Sequence, residues 1–260
     1  GLWRNRELAR QFTLRQIELR HKGSHLGLFW SLLNPLLMLG LYLFVFGYIL
    51  GGRFGVSPHE TRADFALGIF IGLSIVHLLA EVIGSSPSNI VAQPNFVKKV
   101  VFPLEILPLA SVGASVFHFL ISIGLVMFGI VIFGPGLSWA ALWVPVIVLP
   151  VVLTALGMAW FISALGVFFR DIGQITQFLT VVLMYASAVF YSAHRLPPIA
   201  WMFLRFNPLL HAIELTRNAL LWHLPISGLH LLFLYVCGVL WFAAGHAFFV
   251  RLKPAFADVL

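Results

Sequence analysis

Few residues in this chain could do chemistry, and their spacing narrows what that chemistry would be. A phosphate-cradling loop, G-x-x-x-x-G-K-[ST], needs a lysine for the phosphates followed by a hydroxyl for Mg. The four lysines, Lys22, Lys98, Lys99 and Lys253, precede Gly, Lys, Val and Pro. The chain therefore carries no such cradle for ATP. Gly113-Ala114-Ser115 with His118 nearby has the residue types of an intramembrane serine hydrolase. Small residues in a membrane helix more often allow close packing, so this reading is the lesser one. His77 and Glu81 are spaced i,i+4 and share a helix face. A carboxylate within an apolar run is a functional candidate, and a hydrogen-bonded pair near a helix end explains it equally well. Glu105 stands in the same position. Glu214 and Arg217, at i,i+3, are able to pair. Ten histidines form no H-E-x-x-H and no other dense ligand cluster, so no metal site is expected. Cys237 is the single cysteine and has no disulfide partner in the chain.

The elements that must position these residues are membrane spans. Of 260 residues, 60% are hydrophobic and only 10% charged, and the mean hydropathy is +0.98. A soluble core does not need this much apolar surface, but lipid contact does. The length suits one bundle of about five to seven helices at about 20 residues per span. Charge-free runs place spans at 26–50, 65–85, 105–133, 140–168, 172–193 and 226–250, with Gly134-Pro135-Gly136 dividing the third from the fourth. Residues 1–22 are basic and amphipathic, unlike a signal peptide. The expectation is a single all-α, polytopic transmembrane domain over 1–260 with six spans. Its net charge of +7 fits anionic headgroups better than nucleic acid. With six spans both termini share a side, which then holds eleven basic residues against five opposite, so both termini are expected in the cytoplasm.

The segments that do not cross are more informative. Residues 3–20 alternate Trp3, Leu8, Phe12, Leu14, Ile17 and Leu19 with five arginines, and predict an amphipathic helix on the membrane surface. A plain topology signal accounts for the same arginines. The 87–103 loop contains a short basic and apolar helix between Pro94 and Pro103, suited either to docking in a partner's groove or to anchoring. Between spans five and six, 195–222 predicts two short re-entrant or gate helices, the second starting with Asn207 as N-cap and Pro208 in its first turn. Trp30, Tyr42, Phe44, Phe46 and Tyr48 in span one, with Tyr185, Phe190 and Tyr191 in span five, fit lipid belts or a ring-lined channel that stacks on sugars.

Together these segments resemble the membrane subunit of ATP-binding-cassette exporters of polysaccharides, which include O-antigen, capsule and teichoic acid exporters. The resemblance covers nearly the whole chain. It is carried by Leu14-Arg15-Gln16 through Arg20, Lys22-Gly23-Ser24-His25-Leu26-Gly27-Leu28-Phe29-Trp30, Asn34-Pro35-Leu36, Asn95 through Pro108, Phe168-Phe169-Arg170-Asp171-Ile172, and Asn207-Pro208-Leu209 with Glu214 and Arg217. The resemblance implies a homodimer with two nucleotide-binding ATPase subunits, which would bind ATP and Mg, so that this chain needs no cofactor. Pro94, Asn95, Phe96, Val97, Lys98, Lys99 and Phe102 would receive the ATPase stroke. Arg15, Arg20, Lys22 and Trp30 would form a cytoplasmic gate. Tyr42, Phe46, Tyr185, Phe190 and Tyr191 would line a channel, and Asn207, Pro208, Glu214 and Arg217 an outer gate. The implied activity is export of a lipid-linked polysaccharide across a bacterial plasma (inner) membrane. A permease for a small lipid or drug is the alternative from the residues alone, and an intramembrane hydrolase the alternative of another class.

Overall fold

A computed structural model describes residues 5–21, 27–98 and 102–260. Lys22 and Lys99 lie outside the described residues, as does the side chain of Arg20. Among the described residues every regular element is helical. Among the described residues, five stretches are long and apolar enough to cross a membrane: Trp30–Ile49, Arg62–Ser85, Ile106–Phe133, Trp139–Phe168 and Gly228–Val259.

The helices in chain order are α1 (Arg6–His21), α2 (Trp30–Tyr42, continued by π turns over Leu43–Ile49) and α3 (Arg62–Ser85). Then come α4 (Ser88–Val91), α5 (Pro94–Lys98), α6 (Ile106–Phe133), α7 (Trp143–Phe168) and α8 (Ile172–Ala186). The rest are α9 (Pro198–Leu204), α10 (Pro208–Arg217), α11 (Gly228–Leu252) and α12 (Phe256–Val259). Helix α3 is the central post, with Ile69, Ile71, Ile75, Val82 and Ile83 almost wholly buried among α6, α7, α8 and α10. It begins three residues before the expected Phe65. Thr61 accepts from the Asp64 N–H while the Asp64 carboxylate accepts from the Thr61 N–H, a capping box that satisfies the first turn.

Helices α7 and α11 cross backbone to backbone. A side chain on Gly157 would collide with the Trp241 carbonyl, and one on Gly245 with the Gly157 carbonyl. Small residues at such a crossing let two membrane helices approach where the hydrophobic effect no longer drives them together. Helix α1 lies against the bundle. It packs along α6, with Ile17 buried and Thr13 filling the space that a side chain on Gly113 would need. Leu14 and Leu19, expected on its apolar face, are exposed beside the arginines.

The expected fifth span over 172–193 is shorter than its apolar run. Helix α8 ends at Ala186, and its 15 residues reach about 22 Å at 1.5 Å per residue. That falls short of a hydrocarbon core of about 30 Å. Non-helical backbone follows, with Ala188 at φ +57°. Such backbone is tolerated at membrane depth where the protein itself satisfies it.

Candidate functional site

One end of the molecule is built around α10. Asn207 leaves extended backbone, its Oδ1 accepts the Leu209 N–H at 3.0 Å, and Pro208 occupies the first turn. This is the helix start that Asn207-Pro208 predicts. The Asn207 amide also donates to the Ala186 carbonyl and the Ser187 hydroxyl, both at 3.0 Å. The residue that starts α10 thus also ends α8. Further along, Glu214 accepts the Ala193 N–H at 2.8 Å.

Arg217 completes the set and is only 1% exposed. Its Nε donates to the Gly68 carbonyl at 3.0 Å and its Nη2 to the Val189 carbonyl at 2.7 Å. Its Nη1 donates to the carbonyls of Ala188 at 2.7 Å and Tyr191 at 3.3 Å. The planar fork thereby collects the carbonyls that would have continued α8 as a helix, which explains why that helix stops. The guanidinium carbon lies 4.1 Å from the centroid of the Phe54 ring. Burial pushes the Arg217 pKa down to about 10, and Glu214, Glu60 and Tyr191 draw it back, so it remains charged at neutral pH. Glu214 stands 3.8 Å away, the i,i+3 pair expected. Phe54 is held in turn by Glu60, which accepts the N–H groups of Phe54 at 2.7 Å and Gly55 at 2.6 Å. Sequence reasoning missed Glu60, because a lone acid in a loop carries no spacing signal.

Four of the expected channel rings meet beside this turn. Phe46 stacks on Phe190 at 4.2 Å, Tyr42 lies 4.9 Å from Phe190, and Tyr185 lies 5.8 Å from it. Phe190 is buried, whereas Tyr185 is half exposed. Phe190 and Tyr191 sit on the turn after α8 rather than on a helix, and the Tyr191 hydroxyl donates to the Tyr185 carbonyl at 2.7 Å. Phe44 and Tyr48 form a separate stacked pair on the exposed side of α2.

The opposite end gathers α1, α5 and α12. Pro94, Asn95 and Lys98 of α5 are exposed, while Phe96 and Val97 turn inward. Phe96 lies 4.6 Å from Phe102 and 5.6 Å from Phe12 of α1, and Phe12 lies 5.2 Å from Phe102. The expected coupling segment and the expected gate helix are therefore joined by three rings, a contact that sequence spacing does not reveal. Arg15 is exposed, with its guanidinium 5.9 Å from the Phe12 ring. Glu105 accepts from Lys253 Nζ at 2.9 and 3.1 Å, which ties the start of α6 to the end of α11. Phe256, fully buried, hooks the last helix under the same cluster.

Trp30, His77, Glu81, Ser115 and His118 line one cavity of about 430 Å³ between α2, α3 and α6. Glu81 pairs with His118 across the two helices at 2.9 Å. The Ser115 hydroxyl donates back to the Ser111 carbonyl at 3.2 Å. A nucleophile has to reach its base, and here the hydroxyl and the imidazole are each turned to another partner. Among the described residues no three His, Cys, Asp or Glu side chains are grouped to hold a metal ion.

The chain is similar in sequence to several known proteins. The chain is 29% identical over 255 residues to an O-antigen export system permease protein RfbA of Klebsiella pneumoniae, covering 95% of this chain and 93% of that one. It is 26% identical to the RfbA of Myxococcus xanthus over 73% of this chain and 70% of that one. It is 24% identical to the polysialic acid transport protein KpsM of Escherichia coli over 80% and 79%. The profile of the ABC-2 type transporter membrane family matches residues 7–221, and the chain belongs to that family.

Proposed function

We propose that this chain is the membrane half of an ATP-driven exporter that carries a lipid-linked polysaccharide, O-antigen-like or capsular, across a bacterial plasma membrane. The observation that carries the reading is the alignment with an O-antigen export permease over 95% of the chain. Two copies would pair, and two ATPase subunits would bind the ATP and Mg that no motif here can hold. The ATPases would dock on Pro94, Asn95 and Lys98, the exposed side of α5. Closure of the ATPase pair would push α5, and the Phe96–Phe12 contact would pass the displacement to α1. No bond of the glycan is made or broken in this scheme.

Six crossings fit the family reading if α8 and the turn after it together make one. Both termini are then cytoplasmic, in keeping with eleven basic residues on that side against five opposite. Arg217 and Asn207 support this arrangement, because they satisfy the non-helical backbone that completes the crossing.

The test is complementation with a biochemical arm. The chain is co-expressed with the ATPase encoded beside it, in a host lacking its own copy, and surface glycan and complex formation are both measured. Lys98→Asp reverses a charge on the proposed docking side and should abolish export and co-purification together. Normal export by this variant would overturn the docking assignment. Normal surface glycan in the host lacking the chain would overturn the exporter reading.

A further inference from the structure

Helices α5 and α12 are each about one turn long, too short to be stable by themselves, so packing must hold them. In α12, Ala257, Asp258 and Val259 are exposed and Phe256 is fully buried, so one ring seats the helix. That ring lies 5.4 Å from Phe249 of α11, edge to face, and 6.0 Å from Phe168 of α7. It belongs to the same buried cluster as Ile90, Trp160 and Val167, and Phe96 and Val97 of α5 pack against that cluster. Helix α12 touches both α5 and α7.

We infer that α12 is a strut that carries movement of α5 into α7 and α11, and that Phe256 is the positioning residue at its head. The inference rests on the export reading and adds a second route to the Phe96–Phe12 contact.

The base of the strut is fixed. Lys253, in the turn that joins α11 to α12, donates to both oxygens of the Glu105 carboxylate at 2.9 and 3.1 Å. The Glu105 carbonyl accepts the Trp160 Nε1–H at 3.1 Å. Pro254 restricts the backbone between Lys253 and α12. The turn is thereby tied to α6 and α7 as well as to α11. Helices α7 and α11 meet at Gly157 and Gly245 with no room for a side chain, and so move as one body. Coupling over a distance travels through packed contacts that do not slip. A fully buried ring, in a cluster fed by α4, α6, α7 and α11, meets that need. Without it, Pro94, Asn95 and Lys98 stay exposed for docking, but the displacement of α5 no longer reaches the α7–α11 pair. Loss of Phe256 therefore uncouples ATP hydrolysis from export rather than preventing assembly.

The test uses the full chain, co-expressed with the ATPase encoded beside it in a host lacking its own copy. Surface glycan is divided by the amount of co-purified complex and by its rate of ATP hydrolysis. Phe256→Ala should co-purify and hydrolyse ATP, with export per ATP at least about tenfold lower. Phe256→Leu fills most of the site and should restore coupling to within about twofold. Leu260→Ala loosens the partly buried residue that follows α12 and should show the same loss in smaller measure. It decides the matter if Phe256→Ala yields no complex. Glycan that falls only in proportion to the amount of complex would show a plain folding role. That result, or unchanged coupling in both alanine variants, overturns the assignment. A parent chain that fails to restore glycan would instead remove the exporter reading and this one with it. A parent that exports beside fully coupled variants removes this one alone.

Discussion

Replacing Arg217 with Met tests whether one buried cation holds the end around α10 together. Met keeps much of the apolar length and removes every donor. Four carbonyls lose a bond, but they do not lose equally. The Gly68 carbonyl lies within α3 and keeps its helical partner. Those of Ala188, Val189 and Tyr191 lie on a turn where, among the described residues, no backbone N–H replaces the guanidinium. Each buried carbonyl left without a donor costs about 1–3 kcal/mol. Part returns because a charge no longer has to be desolvated and the turn relaxes. The net loss should be about 3–5 kcal/mol, the range for removing one partner from a buried charged network.

A chain of this size shifts its melting temperature by about 2–4 °C per kcal/mol, so Arg217→Met should melt at least about 6 °C lower. The single, part-buried Cys237 on α11 makes the measurement direct, because a thiol-reactive dye reports unfolding from one site. Arg217→Lys keeps the charge but not the planar fork that reaches adjacent carbonyls, and should fall between the two. A Met variant melting within about 2 °C of the parent would refute the reasoning, since one lost bond alone predicts about that shift.

Two further outcomes follow from contacts at the two ends. His211 is buried, and its Nε2–H donates to the Arg205 carbonyl at 2.7 Å. Burial lowers its pKa from the ordinary 6.5, more than that bond raises it. The unfolded chain therefore binds the proton first, so the stability is complete above 6.5 and is lost as the pH falls through the lower folded value. Melting temperatures between about pH 7 and 5 should fall for the parent and stay flatter for His211→Asn, and parallel curves would remove His211 as the cause. At the other end, Phe12→Ala detaches α1 from α5 while leaving Phe96 on Phe102. Two ring contacts at about 0.5–1.5 kcal/mol each total about 1–3 kcal/mol, and should lower glycan export by about five- to a hundredfold if all of it bears on the stroke. Complex formation should persist, and unchanged export would show that the rings do not transmit the stroke.

The limits of the sequence reading lie in what a local pattern can register. Span boundaries were legible because a bilayer demands charge-free runs. The three-residue error at α3 came from ignoring Thr61 and Asp64, whose spacing is itself a readable cap. The error at α8 is of another kind. The apolar run continues past Ala186, and hydropathy cannot register an arginine 29 residues later that claims the Ala188 carbonyl. Helical spacing paired Arg217 with Glu214, its neighbour on α10, but the bond to Gly68 spans 149 residues. The pair expected in an outer gate makes its hydrogen bonds to α3 and to the turn after α8. Asn207, Glu214 and Arg217 bind the 186–193 turn through buried and part-buried bonds, and α10 itself is buried from Leu209 to Ile213. Helix α9 differs, with Ile199, Met202 and Phe203 exposed and its C-terminal side tied by the Arg205 carbonyl to His211. Separating α10 from the turn breaks several buried or part-buried bonds at once, including those of a charged group, whereas moving α9 breaks far fewer. An opening at this end is therefore least costly if α9 swings and α10 stays with the bundle.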